Sequence, residues 1–208
     1  MGYGKNMPDE NTLKRLDEAQ KSLLSEISPK YVYKLFKIAA NDGEKVTLDC
    51  GFELCGKDIS RHLDGCAEAM LMAATLSEGA DRVIRHFQAV DMASAVIADA
   101  LASAAIEQVC DNACEEIADR LKGSFFTWRF SPGYGDFPIQ TQKKFLTLLN
   151  AEKIIGLYAT ESFLLVPTKS VTAIIGVSEN PVEKARKGCA GCNMVKDCKF
   201  RERGERCV

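Results

Sequence analysis

The sequence predicts an α+β fold with a helical N-terminal half, a small mixed or antiparallel sheet with helices in the C-terminal half, and a cysteine-rich tail. Three observations carry this expectation. Apolar residues recur at helical spacing through most of the first 122 residues, the chain after Gly123 breaks into short β-like runs separated by Gly, Pro and Asn, and four of the nine cysteines fall in the last twenty residues. A chain of 208 residues with 46% hydrophobic and 27% charged content is long enough for one sizeable core or two small ones.

Residues 9 to 27 predict an amphipathic helix, with Leu13, Leu16, Ala19, Leu23 and Leu24 on its apolar side. Ser28-Pro29 ends it, and Tyr31 to Ile38 reads as a short helical or extended segment before the Asn41-Asp42-Gly43 turn. Lys45 to Asp49 alternates as a strand does. From about Asp58 to Lys122 the pattern is mostly helical, interrupted at Gly79. Ile84, Phe87, Val90, Ile97, Leu101 and Ala104 predict one buried face on a very long helix. Beyond it, Phe125 to Phe130, Ile154 to Tyr158, Phe163 to Val166 and Val171 to Val177 are the expected strands, with a helix from Gln140 to Asn150 among them.

The tail reads Cys189-x2-Cys192-x5-Cys198-x8-Cys207. Four thiolates on one short polar segment form a donor set for a [4Fe-4S] cluster or for zinc. From Glu183 to Arg206 eight Lys/Arg face four Asp/Glu, a positive setting that stabilises thiolates and an anionic cluster, although the same charges could simply be a solvated surface with no metal. An odd cysteine count and a polar, charged opening, MGYGKNMPDENTLKRLDEAQ, argue against a secreted disulfide framework and for the cytoplasm. The formal net charge of -2 and 8% aromatic content argue against a nucleic-acid binder. The most apolar stretch, Ala93 to Cys110, contains Asp99 and Glu107 and suits a buried helix better than a membrane span. Cys50, Cys55, Cys66, Cys110 and Cys114 are expected as ordinary thiols, and His62 and His86 as surface or capping groups.

A second segment, Trp128 to Pro138, is a tight loop leaving a strand. Gly133 and Gly135 let main-chain N–H groups approach a ligand, Arg129 can fork onto a carboxylate, and Tyr134 supplies a ring and a hydroxyl. Such a loop suits a small polar ligand, and Pro-Gly turns beside strands also occur for purely structural reasons.

The ordered residues Arg129-x3-Gly133-Tyr134, Thr160-Glu161-Ser162 and Pro167-x2-Ser170-Val171 resemble the activation domain of cobalamin-dependent methionine synthase. The upstream stretches His62-Leu63-x2-Cys66, Ala74-Thr75-Leu76 and Asp99-Ala100-x2-Ser103-Ala104-Ala105-x-Glu107 resemble its short, stand-alone relatives, which also end in a cysteine tail. The resemblance runs from about Pro29 onward and divides the chain into an N-terminal helix (1–28), an activation-like domain (29–180) and a metal-binding tail (181–208).

The resemblance implies binding of S-adenosylmethionine and reductive methylation, Co(II) to methyl-Co(III), of the corrinoid of a cobalamin-dependent methionine synthase or related methyltransferase. Arg129 would hold the ligand's carboxylate, Gly133, Tyr134 and Ser170 would contribute contacts around it, and Glu107 would meet its positive end. No Asp-x-His-x2-Gly corrinoid motif and no GxxxxGK[ST] loop stands in these residues, so the cobalamin is expected on a partner protein, with electrons from a low-potential donor and a tail cluster passing them on. Where full-length relatives carry aromatic residues after the Ser-Val pair, this chain has Ile174-Ile175-Gly176, which implies a remodelled adenosyl pocket. The alternative is a non-catalytic interaction module whose zinc-stapled tail docks a corrinoid methyltransferase.

Overall fold

Glu68–Thr75 is the organising strand, and it lies inside the stretch that reads as mostly helical. Its sequence, EAMLMAAT, is buried on both sides. Met70, Met72 and Ala74 enter one core and Ala69, Leu71 and Ala73 the other. A strand covered on both faces has no polar positions to alternate with apolar ones, and Ala, Met and Leu are good helix formers, so its period-2 signal is erased. The computed structural model describes residues 7–182.

In chain order the elements are α1 (Glu10–Glu26), β1 (Lys30–Asn41), β2 (Lys45–Leu48), β3 (Glu53–Cys55), α2 (Lys57–His62), β4 (Glu68–Thr75), α3 (Glu78–Val90), α4 (Met92–Arg120), β5 (Phe125–Phe126), α5 (Thr141–Leu149), α6 (Ala151–Ile155), β6 (Tyr158–Ala159), β7 (Leu165–Val166) and β8 (Ser170–Ser178). Six strands form one sheet in the order β3-β2-β1-β4-β8-β5, with every neighbouring pair antiparallel, and β6 and β7 form a small hairpin. The α+β class therefore holds, with a wholly antiparallel main sheet. The order of elements differs from the expectation, since four strands precede α3. The segment Tyr31–Ile38 resolves as part of a twelve-residue strand whose Tyr31, Tyr33 and Leu35 serve one core while Val32, Phe36 and Ile38 serve the other. The expected strand from Ile154 to Tyr158 is broken up: α6 takes Ile154 and Ile155, and only Tyr158 enters a strand, β6.

One face of the sheet is covered by α1, α3 and α4, the other by α2, α5 and α6. The expected single long helix is two. Asp91 takes extended dihedrals between α3 and α4 and caps the second helix, accepting from Ala93 N at 3.2 Å and from Ser94 Oγ at 2.6 Å while pairing with Arg15 at 3.0 Å. A cap that satisfies orphan N–H groups in this way stabilises a helix start by about 1 kcal/mol.

The buried face of α4 runs through Ala98, Ala102, Ile106, Cys110, Ala113 and Ile117; of the predicted stripe on this helix Ile97 is buried, Leu101 packs against the same core and Ala104 is exposed. Its small residues let the helix lie close on the sheet. Among the described helices α4 alone is long and apolar enough to cross a bilayer by length and composition, yet it lies along the sheet with Asp99, Glu107 and Asp111 on its open side. That packing leaves the C-terminal half of α4 beside the open edge of β8, where β5 is only two residues long.

Candidate functional site

A cleft of about 640 Å³ lies between α4, the β8 edge and the segment from Phe126 to Tyr134. Register defines its floor. Phe130 and Ile174 exchange both backbone bonds, Ile174 N–H to Phe130 O at 2.7 Å and Phe130 N–H to Ile174 O at 2.9 Å. Immediately after Phe130 the chain turns away at Ser131-Pro132, so Thr172, Val171 and Ser170 line the cleft.

Arg129 stands at the centre. Its Nη2 donates to Glu107 Oε2 at 2.7 Å, its Nη1 to Asp111 Oδ1 at 2.6 Å, and Nη1 also lies 3.9 Å from Cys114 Sγ. Burial opposes charge on this side chain, but the hydrogen bonds it donates to Asp111 and Cys114 outweigh it and raise its pKa, so the guanidinium is charged at every working pH. Glu107, Asp111 and Cys114 are spaced at i, i+4 and i+7 on α4, which puts them on one helical face. That spacing is legible in the sequence and groups Asp111 and Cys114 with Glu107 on one face, although it does not name Arg129 as their common partner.

The loop after Arg129 is braced against α2. Asp136 accepts from Lys57 N at 2.7 Å and Asp58 N at 3.0 Å, which caps the helix from a distance in sequence, and Asp58 Oδ2 accepts from Asp136 N at 3.3 Å. These donors, Asp58 N–H foremost, hold the Asp136 carboxyl below its usual range. Gly135 has φ +55°, and a methyl group there would sit 2.1 Å from Asp58 Oδ2. Gly133, at φ +92°, closes the turn by donating to Phe137 O at 2.8 Å. Tyr134 sits half-exposed at the rim of the cleft with its ring edge-on to Phe130, 5.9 Å between centroids.

Behind the loop stands an aromatic cluster that contains His62. The sequence suggests a surface or capping histidine; the structure corrects this, because α2 turns His62 inward. It is 9% exposed, stacks on Phe130 at 5.0 Å, meets Trp128 edge-on at 5.1 Å, and its Nε2 lies 2.8 Å from Thr127 Oγ1. Burial pushes its pKa down to about 4, so the ring is neutral at neutral pH. Six residues of helix among charged neighbours are too few for periodicity to show which side faces in.

Ser170 lies on the cleft wall, with its hydroxyl 2.8 Å from Thr75 Oγ1 and donating to Pro167 O at 2.7 Å. Of Ile174 and Ile175, only Ile175 reaches the cleft; Ile174 packs into the opposite core. Arg129, Glu107, Tyr134 and Ser170 thus line one cleft, with Gly133 shaping its rim. Cys66, Cys110 and Cys114 have thiols pushed up by burial, Cys66 to about 11 and Cys110 to about 12. Among the described residues no cluster of three or more His, Cys, Asp or Glu could hold a metal ion. Cys189, Cys192, Cys198 and Cys207 lie outside the described residues.

Comparison with known proteins adds two findings. The family model described as vitamin B12 dependent methionine synthase, activation domain, matches residues 54–182. Among solved structures, the crystal structure of the MetH reactivation domain bound to AdoHcy matches with a TM-score of 0.52 at 19% identity, over 94% of this chain and 73% of that one, a likeness of fold. No curated protein matches the chain.

Proposed function

From the premise that this chain belongs to the activation-domain family of vitamin B12 dependent methionine synthase, we propose that its cleft binds S-adenosylmethionine and presents the methyl group to an inactive corrinoid on a partner methyltransferase. The observation that carries this reading is Arg129, a charged fork set in a 640 Å³ cleft opposite two helix-borne carboxylates. A zwitterionic amino acid needs such a pairing: a guanidinium for its carboxylate and a carboxylate for its ammonium. The sulfonium is a third charge, and Tyr134 at the rim offers a ring face worth about 0.5–2 kcal/mol to a cation. AdoHcy in the MetH domain is the demethylated form of the same ligand class.

In the proposed reaction one electron from a low-potential donor converts the partner's Co(II) to Co(I). The Co(I) electron pair then takes the methyl group; the C–S bond breaks, a Co–C bond forms, and S-adenosylhomocysteine leaves. This chain's residues bind and orient the sulfonium. The four tail thiols fit a [4Fe-4S] cluster, which would supply low-potential electrons, or zinc, which would not. Iron, acid-labile sulfide and zinc measured per chain on anaerobically purified protein distinguish the two.

The test of the main reading is thermal stabilisation by S-adenosylmethionine. Wild type is expected to gain several degrees at saturating ligand, and Arg129→Ala to lose at least tenfold in affinity, since charge-assisted bonds contribute about 1.5–3 kcal/mol. No ligand-induced shift in wild type, or an unchanged shift in Arg129→Ala, would overturn it.

A further inference from the structure

Arg129 has a carboxylate on each terminal nitrogen, and the two are not equivalent. This inference rests on the reading above and concerns how the two acids share the guanidinium with a ligand. Asp111 binds Nη1, the nitrogen also approached by the Cys114 thiol, through a side chain one methylene shorter than that of Glu107. Glu107 alone meets Nη2, from one helical turn earlier and with one more rotatable bond. Both carboxylates are more than half exposed, 59% for Glu107 and 56% for Asp111, while Arg129 is only 22% exposed. Either acid can therefore leave the pair without becoming a buried charge, but the arginine cannot be left unpaired at little cost.

We propose that the ligand's carboxylate replaces Glu107 on Nη2, that Asp111 keeps its hold on Nη1 and is the positioning residue of the cleft, and that the displaced Glu107 turns to the ligand's α-ammonium. The exchange conserves ion pairs. A carboxylate leaves the guanidinium as another takes its place, and the departing group meets the positive charge that arrives with the newcomer. Ligands carrying only one of the two charges break this balance, so the cleft selects the intact amino acid end. Asp111 holds the fork in a fixed plane throughout, which limits the orientations open to the incoming carboxylate.

Calorimetric titration of the full chain with S-adenosylmethionine and with its analogue lacking the α-amino group separates the roles. Glu107→Gln is expected to weaken S-adenosylmethionine about tenfold and to tighten the desamino analogue severalfold, because a neutral amide competes less well for Nη2 and no ammonium is present to miss the carboxylate. Asp111→Asn is expected to weaken both ligands by about tenfold, with Asp111→Glu restoring part of the loss. Unchanged affinities in Asp111→Asn, or equal weakening of both ligands in Glu107→Gln, overturn the exchange. Failure of wild type to bind S-adenosylmethionine, or binding indifferent to Arg129→Ala, overturns the functional reading instead. Circular dichroism and the ligand-free melting temperature of each variant separate misfolding from a local effect.

Discussion

The two walls of the cleft are built by opposite means. The loop wall, Trp128 to Pro138, is held by backbone bonds, by the reciprocal Asp58–Asp136 clasp and by the aromatic cluster of Trp128, Phe130 and His62 behind it. The helix wall presents Glu107 and Asp111 on exposed side chains, fixed only through Arg129. Positional accuracy resides in the loop, to which Asp111 adds its hold on Arg129, and adjustable charge resides in Glu107. A site that must accept a multiply charged ligand needs both, because rearranging exposed carboxylates costs little and rearranging a packed loop costs much.

The largest effect should follow from breaking the loop wall at Gly135. A methyl group there meets Asp58 Oδ2 at 2.1 Å, and the residue sits at φ +55°. Gly135→Ala must tolerate a left-handed conformation costing roughly 1–2 kcal/mol. It must also push Asp58 aside, at about 1 kcal/mol for its bond to Asp136 N. A destabilisation of about 2–3 kcal/mol is expected, which for a chain of this size lowers the melting temperature by roughly 4–12 °C. Ligand response should fall with it. A melting temperature equal to wild type would show that the loop is not the rigid wall.

His62 sharpens the same comparison through pH. Its pKa is lowered from 6.5 to about 4 by burial, so the unfolded chain binds the proton more readily than the folded one. The stability owed to the neutral ring is fully present above pH 6.5 and is lost as pH falls toward 4. At about 1.4 kcal/mol per unit, roughly 2 kcal/mol should disappear between pH 6.5 and 5. Denaturant midpoints across that range should fall in wild type, and the slope should flatten in His62→Gln. An unflattened slope would assign the acid sensitivity to other groups.

Much of this was legible in advance, and the rest was hidden for physical reasons. α1 and α5 are one-sided helices, so their spacing located them to within a residue or two. The Arg129 to Tyr134 loop announced itself through residues with special backbone and charge chemistry, and it does line the cleft with Glu107 and Ser170. β4 was invisible because both its faces are buried, and α3 and α4 merged because nothing in hydrophobic spacing marks Asp91 as a cap. Helical spacing places Asp111 one turn from Glu107, but its partner Arg129 is 18 residues away in sequence, and only the fold brings the two together.

The smallest effect on stability, and the sharpest contrast with Gly135, should come from the helix wall. Glu107→Gln removes one member of an ion pair that is 59% exposed on the glutamate side, and Asp111 remains on Arg129, so no buried charge is stranded. Exposed pairs contribute about 0–1 kcal/mol, and the melting temperature without ligand should move by no more than about 4 °C. If Glu107→Gln destabilised the protein as much as Gly135→Ala, its carboxylate would be a structural strut and unfit to leave Arg129 for a ligand. A near-silent change in stability beside a tenfold change in affinity would place Glu107 on the adjustable side of the cleft, where the difference between the two walls requires it.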